Sequence, residues 1–114
     1  MTTLFGIHNC DTIKKAQKWL DKSNVAYTFH DFRKDGLTES ILNDFILHVD
    51  WTDLLNKRST TYRNLEESIK NNFTQETAIS AMLEQPTLIK RPVLVSDGKV
   101  TIGYKEATYQ EIFK

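Results

Sequence analysis

The chain has 114 residues, a length that suits one domain whose modest core needs no metal or disulfide. Its 15 basic and 15 acidic side chains cancel, so no long-range field favours binding to nucleic acid or to an anionic membrane. One cysteine excludes an internal disulfide, and the lack of a signal-like start, a membrane-length apolar run and a coiled-coil pattern predicts a cytoplasmic monomer.

The first elements form a predicted strand–helix–strand unit. Apolar residues predict a buried strand over residues 2–7, and apolar groups at helical spacing predict a helix over about 11–24. Alternating residues predict a second strand over 25–32, which ends at the turn-forming cluster 33–36. This order implies that the two strands pair in parallel.

A helical block follows, with no strong strand candidate over residues 38–85. A Thr-Glu pair caps its first predicted helix, and Thr74 with Thr77 gives a weaker capping pattern for its last. The predicted helices cover residues 38–49, 51–56, 62–69 and 74–83.

The strand pattern returns near the C-terminus. Residues 92–95 and 100–102 flank Ser-Asp-Gly-Lys, and Asp-Gly between two apolar runs predicts a β-hairpin. A final helix is predicted over 106–113. The complete order, βαβ, helices, ββα, predicts an α/β thioredoxin-like fold with a central mixed sheet. We expect a single domain over residues 1–114 with an inserted helical subdomain at about 38–85.

Cys10 is the candidate nucleophile, since it stands where the first predicted strand gives way to the first helix. The free amides and the positive end of a helix dipole favour the thiolate, which attacks disulfides and oxyanions. A lone cysteine is usually a small buried hydrophobe without chemistry, and this alternative stays open on the position alone. The spacing of His8, His30 and His48 relative to this cysteine predicts no metal site.

Four ordered blocks surround the cysteine and together cover essentially the whole chain. They are FGIHNCDTIKKA at 5–16, LLNKRSTTYRNL at 54–65, ISAMLEQPTLIKRPVL at 79–94 and IGY at 102–104. With these blocks the chain resembles the arsenate reductase (ArsC) family, most closely its YffB-type branch, which neighbours the Spx regulators.

The resemblance implies that Cys10 is catalytic and that Arg91 faces it across the active site, followed by a structural cis-proline at Pro92. The planar guanidinium of Arg91 would bind a substrate anion. Without the resemblance, a solvated side chain beside a structural proline is the favoured account of this arginine.

The residues that flank the cysteine extend the predicted site. Asn9 and Thr12 offer hydrogen bonds to the sulfur or to a bound oxyanion. Lys14 and Lys15 would stabilise the thiolate or hold the carboxylates of glutathione. The two lysines also fit an ordinary exposed helix face.

The chain departs from the family pattern at three positions. Ile13 stands where a Cys-x-x-Cys motif has its second cysteine, so an outside thiol, glutathione or a glutaredoxin, must clear an adduct on the nucleophile. Asn56 and Tyr104 stand where arsenate reductases have arginines, which leaves arsenate open as a substrate. The neighbouring Lys57 and Arg58 would supply a shifted anion-binding cation or form a solvated helix end.

The expected function is that of a thiol-dependent reductase that acts on a mixed disulfide or on an oxyanion such as arsenate. Glutathione is the expected co-substrate, and we expect no bound cofactor, metal, nucleic acid or membrane partner. The alternative is an Spx-like redox-linked regulator that binds the α-subunit of RNA polymerase, although the chain lacks a two-cysteine switch. A vestigial site is the third possibility.

Overall fold

A computed structural model of the chain describes residues 2–8 and 10–113. Two compact units are formed, the first from Met1–Gly36 with Arg91–Lys114 and the second from Leu37–Lys90. Across the described ranges, no helix combines the length and the apolar character needed to cross a bilayer. The single domain over residues 1–114 stays a prediction.

The elements are numbered in chain order. The strands are β1 (Thr2–Gly6), β2 (Thr28–Asp31), β3 (Val93–Ser96) and β4 (Lys99–Ile102). The α-helices are α1 (Asp11–Lys22), α2 (Glu39–Ile46), α3 (Trp51–Leu54), α4 (Thr60–Arg63), α5 (Glu67–Lys70), α6 (Gln75–Glu84) and α7 (Glu106–Ile112). One turn of 3-10 helix follows α6 at Pro86–Leu88.

The first unit is built on a four-stranded mixed sheet in the order β2-β1-β3-β4. Strand β1 pairs in parallel with β2 and antiparallel with β3, and β3 pairs antiparallel with β4. The parallel pair confirms the predicted strand–helix–strand unit. The sheet with its flanking helices also confirms the predicted thioredoxin-like α/β fold.

Helices α1 and α7 pack on this sheet through one shared core. Ala16 and Leu20 lie four residues apart on the same face of α1, and Leu4 pairs with Leu94 across β1 and β3. All four are buried together with Tyr109 of α7. This cluster holds α1 in place on the sheet.

The second strand is shorter than predicted because residues before it close helix α1. Asn24 has a φ of 58°, its N–H donates to the carbonyl of Asp21 at 3.2 Å, and the Val25 N–H donates to the carbonyl of Leu20 at 3.0 Å. This is a Schellman motif, in which a left-handed residue lets two N–H groups satisfy the last helical carbonyls. The predicted strand over 25–32 is therefore wrong in its first part.

The predicted hairpin between β3 and β4 is confirmed. Asp97 and Gly98 have φ values of 50° and 79°, as a type I′ turn requires. Glycine adopts positive φ without steric cost and aspartate tolerates it, so this pair fits the turn.

The second unit is helical, and its two longest helices begin where the sequence predicts. The Thr38 hydroxyl accepts a hydrogen bond from the Ile41 N–H at the start of α2. The side chains of Thr74 and Thr77 each accept a hydrogen bond from the other's backbone N–H at the start of α6. The core of the unit consists of Leu42, Phe45, Leu54, Leu55, Ala78, Ile79, Met82, Leu88 and Ile89.

The predicted helix over residues 62–69 is wrong, because two short helices occupy this part of the chain. The Ser59 hydroxyl accepts a hydrogen bond from the Tyr62 N–H at 3.1 Å, so α4 begins earlier than predicted. Glu66 then adopts an extended backbone, with φ −62° and ψ 144°, and separates α4 from α5.

Candidate active site

Several polar residues lie at one end of the first unit's sheet. Phe5 pairs with both His30 and Val93, and Val93 pairs with Ile102. The C-terminal ends of β1, β2 and β4 therefore lie beside the N-terminal end of β3. The segments attached at this end carry Cys10, Asp31, Arg91 and Tyr104.

Cys10 is the N-cap residue of α1 and has an extended backbone, with φ −88° and ψ 130°. Its carbonyl accepts the Lys14 N–H at 3.0 Å, whereas its side chain makes no capping hydrogen bond. The thiol is free and half-buried, so this cysteine is not fully enclosed in the core. A partly exposed sulfur at the N-terminus of a 12-residue helix stands where unpaired amides favour an anion.

Gly6 allows the first turn of α1 to lie close to β1. A Cβ atom at this position would overlap Cδ1 of Ile13 and lie 3.0 Å from its Cγ1. Ile13 is 1% exposed, so its side chain has little free space into which to move. The missing side chain at Gly6 therefore helps to set the position of the helix that begins after Cys10.

Asp31 is a buried carboxylate that the sequence reading missed. Its Oδ2 accepts the His8 N–H at 2.9 Å, and its Oδ1 accepts the N–H groups of Arg33 and Lys34 at 2.8 and 3.2 Å. Burial by itself raises the pKa of this carboxyl, but the three amide donors and the charge of Lys34 outweigh burial and lower the pKa. The carboxylate therefore stays ionised at neutral pH.

A local signal for part of this arrangement was present in the sequence. An aspartate at the end of a strand, followed by a polar turn, commonly accepts hydrogen bonds from N–H groups two and three residues later. The bond to His8 has no such signal, because it joins residues 23 positions apart.

Arg91 and Pro92 precede β3 at the same end of the sheet. The peptide bond between them is cis, the conformation expected of this proline. Pro92 is buried and Arg91 is half-buried, while the Pro92 carbonyl accepts the Gly103 N–H at 2.8 Å. The backbone that follows Arg91 is thus held on two sides. The Pro92 carbonyl is bonded to Gly103 after β4, and Val93 pairs with Phe5 of β1.

Tyr104 follows β4, where the family pattern has an arginine. Its half-buried ring meets that of Tyr109 edge-on, with centroids 4.9 Å apart. Burial, and to a lesser degree the charge of Glu106, raises the pKa of the Tyr104 phenol. The position therefore offers a neutral aromatic hydroxyl in place of a cation.

The remaining predicted residues divide between the two units. Thr12 is half-buried in the first turn of α1 and Lys14 is exposed in the same helix. Lys57 and Arg58 are exposed in the second unit, where the Arg58 N–H donates to Oδ1 of Asn56 at 3.2 Å. Asn9 lies outside the described residues. Within the described ranges, no group of three or more His, Cys, Asp or Glu side chains could hold a metal.

Comparison with known proteins matches nearly the whole chain. The sequence model of the ArsC family covers residues 5–112. The solved structure of the YffB protein superposes with a TM-score of 0.92, at 40% identity and over 97% of both chains. The solution structure of an arsenate reductase (ArsC) related protein from Brucella melitensis gives a TM-score of 0.80, at 46% identity over 99% of this chain and 94% of that one.

A transcriptional regulator is also among the relatives. The global transcriptional regulator Spx of Staphylococcus epidermidis is 30% identical, over 93% of this chain and 82% of its own length. Both reductase-like and regulatory relatives therefore share this fold.

Proposed function

This chain belongs to the ArsC family, and on that premise we propose that it is a thiol-dependent reductase whose nucleophile is Cys10. The observation that carries the proposal is the half-buried Cys10 thiol at the N-cap of α1. Its sulfur makes no capping hydrogen bond to the helix. An outside reactant can reach such a thiol, and the helix amides stabilise its thiolate.

The substrate we propose is a mixed disulfide between glutathione and another thiol. The Cys10 thiolate attacks the glutathione sulfur, so that a Cys10–glutathione disulfide forms and the other thiolate leaves and takes up a proton. The thiolate of a second glutathione then attacks this disulfide, releases oxidised glutathione and restores the Cys10 thiolate. The net reaction converts the mixed disulfide and one free glutathione into the released thiol and oxidised glutathione, and it needs no second cysteine in a chain that has only one.

Arg91 binds a carboxylate of glutathione in this proposal. It is half-buried at the end of the sheet next to the end of β1, and its planar guanidinium can form two parallel hydrogen bonds with a carboxylate. Lys14, exposed on the helix that follows Cys10, adds a second positive charge, and Thr12 offers a hydroxyl in the first turn. The cytoplasm, where glutathione is kept reduced, is the compartment that this chemistry requires.

The test is the reduction of a glutathione mixed disulfide by glutathione, followed through glutathione reductase and NADPH. We expect Cys10→Ser to abolish turnover above the uncatalysed rate. Arg91→Lys should raise KM about tenfold, because an ammonium group cannot reproduce the paired hydrogen bonds. Arg63→Lys, at an exposed arginine of the second unit, is the matched control. Unchanged turnover in Cys10→Ser would refute the proposal, and arsenate tested in the same assay decides between the two electrophiles.

A second candidate function is transcriptional regulation through the α-subunit of RNA polymerase. It is favoured by the 30% identity with Spx over 93% of this chain. Binding of the purified α-subunit that persists in Cys10→Ser would support this role. A chain that turns over the mixed disulfide and does not bind the α-subunit would rule it out.

A further inference from the structure

The last residue of β1 and His8, which lies in the loop between β1 and the proposed nucleophile, are each hydrogen-bonded to the C-terminal end of β2 or the residue that follows it. The Phe32 N–H donates to the carbonyl of Gly6 at 2.8 Å, and the His8 N–H donates to Oδ2 of Asp31 at 2.9 Å. The first bond continues the pairing of the two strands. The second lies beyond the strand pair and reaches the residue two positions before Cys10.

The Asp31 carboxylate has little freedom to move. It is 2% exposed, and its other oxygen, Oδ1, accepts the N–H groups of Arg33 and Lys34. The Asp31 N–H in turn donates to Oδ2 of Asp35 at 2.9 Å. With both oxygens engaged by three backbone donors, the carboxylate can hold the His8 amide in one place.

Helix α1 does not depend on this carboxylate for its own position. Ala16 and Leu20 anchor it in the core, and Ile13 packs over Gly6. Loss of the bond to His8 would therefore release the loop while the helix and sheet remain packed.

We propose that Asp31 is a positioning residue for Cys10: through the His8 amide it fixes the loop and thereby the direction in which the thiol approaches its electrophile. This role rests on the proposed function of Cys10 as nucleophile. Asp31 itself does not touch the substrate, so its effect should lie in kcat and in the reactivity of the thiol rather than in KM.

Only a carboxylate can serve all three donors. In Asp31→Asn the NH₂ group must face either the His8 N–H or the pair from Arg33 and Lys34, because the amide has one acceptor oxygen in place of two. A donor facing a donor cannot form a hydrogen bond, so the substitution loses at least one of these bonds at nearly unchanged volume. Asp44→Asn is the matched control, because it makes the same exchange of a carboxylate for an amide at an exposed position of the second unit.

The experiment measures the alkylation rate of Cys10 by iodoacetamide, the kcat and KM for the mixed disulfide, and the melting temperature of each variant. We expect Asp31→Asn to lower kcat about tenfold and to change the alkylation rate, with KM nearly constant. Asp44→Asn should leave both rates and the melting temperature near those of the wild type. Equal rates in Asp31→Asn and Asp44→Asn would overturn the proposal.

A second pair of variants keeps the proposal testable if Asp31→Asn does not fold. His8→Pro removes the N–H donor, whereas His8→Ala keeps the donor and removes only the exposed side chain. We expect His8→Pro to lower kcat and to change the alkylation rate, and we expect His8→Ala to behave as the wild type. Where Asp31→Asn does fold, the double variant Asp31→Asn/His8→Pro should have rates no lower than those of the more impaired single variant. The same loss in His8→Ala would overturn the role of the amide.

Alkylation separates this proposal from the proposed function. It needs no substrate, so a changed alkylation rate in Asp31→Asn without any turnover of the mixed disulfide by the wild type would support the positioning role and refute the reductase. Turnover by the wild type, together with unchanged rates in Asp31→Asn, would support the reductase and refute the positioning role of Asp31.

Discussion

The close contact between Gly6 and Ile13 gives a specific prediction about what sets the position of helix α1 relative to β1. In Gly6→Ala the new Cβ overlaps Cδ1 of Ile13 and lies 3.0 Å from Cγ1, closer than such atoms normally approach. Because Ile13 is 1% exposed, the strain must be taken up by a displaced side chain or a shifted helix. Overpacking of this kind costs about 1–3 kcal/mol.

The smaller entropy of the unfolded chain offsets part of that cost. Replacing glycine by alanine where the backbone permits it returns about 0.4–1 kcal/mol, so we expect a net loss of about 0.5–2 kcal/mol in the free energy of unfolding. In urea this lowers the midpoint by about 0.2–2 M, for a chain with an m value of about 1–3 kcal/mol/M. The rate of Cys10 alkylation should change in parallel, since the displaced helix begins beside this residue.

A double-mutant cycle tests the cause. Ile13→Val removes Cδ1 and alone costs about 0.5–1.5 kcal/mol, but in the Gly6→Ala background it also removes the overlap. The loss in free energy of unfolding in the double variant should therefore be about 1 kcal/mol smaller than the sum of the losses in the two single variants. Strictly additive losses would show that the overlap with Ile13 does not govern the position of α1.

Three further predictions concern stability, each measured by urea unfolding. Asn24→Ala should cost about 1 kcal/mol because residue 24 has a positive φ, whereas Asn24→Gly should be neutral or stabilising; equal effects would refute the Schellman motif as the cause. Thr74→Ala should cost about 1 kcal/mol through loss of the N-cap of α6, while Ser80→Ala, exposed in the same helix, should cost much less. The lowered pKa of Asp31 adds stability that is complete above its unfolded value of about 4 and is lost as pH falls through the native pKa. Asp31→Asn should make the free energy of unfolding fall less steeply at acid pH. An unchanged pH dependence would contradict the assignment of a lowered pKa to Asp31.

The features that the sequence predicted are those encoded by near neighbours. The hydroxyls of Thr38 and Thr74 cap helices through residues three positions away, and Asp97 and Gly98 make a turn from two adjacent residues. In such cases the side chain and the backbone that it stabilises are read together from one short segment.

The features that the sequence reading missed arise from residues that favour more than one structure. Val25 fits a strand by its branched side chain, yet its N–H is used to end α1 after the left-handed Asn24. The asparagine was a usable signal, because it is the residue other than glycine that most readily takes this conformation at a helix end.

The candidate site was only partly predictable, for the same reason. Cys10 could be placed at the N-terminus of α1 from its position after a strand and before an apolar stripe. The contact of Asp31 with the loop before this cysteine depends on strand pairing between β1 and β2. Such non-local hydrogen bonds follow from the fold as a whole, so a single segment does not reveal them.

The chemistry at this end of the sheet also bears on the choice of electrophile. A tetrahedral oxyanion carries charge on several oxygens and is stabilised by several cationic donors close to the reacting atom. The half-buried phenol of Tyr104 is neutral, since burial raises its pKa, and it packs against Tyr109 as an aromatic surface. A glutathione disulfide instead carries its carboxylates away from the reacting sulfur, so in the proposed function the single guanidinium of Arg91 would bind one of them. The neutral aromatic ring at position 104 therefore supports our choice of an organic disulfide over arsenate in that proposal.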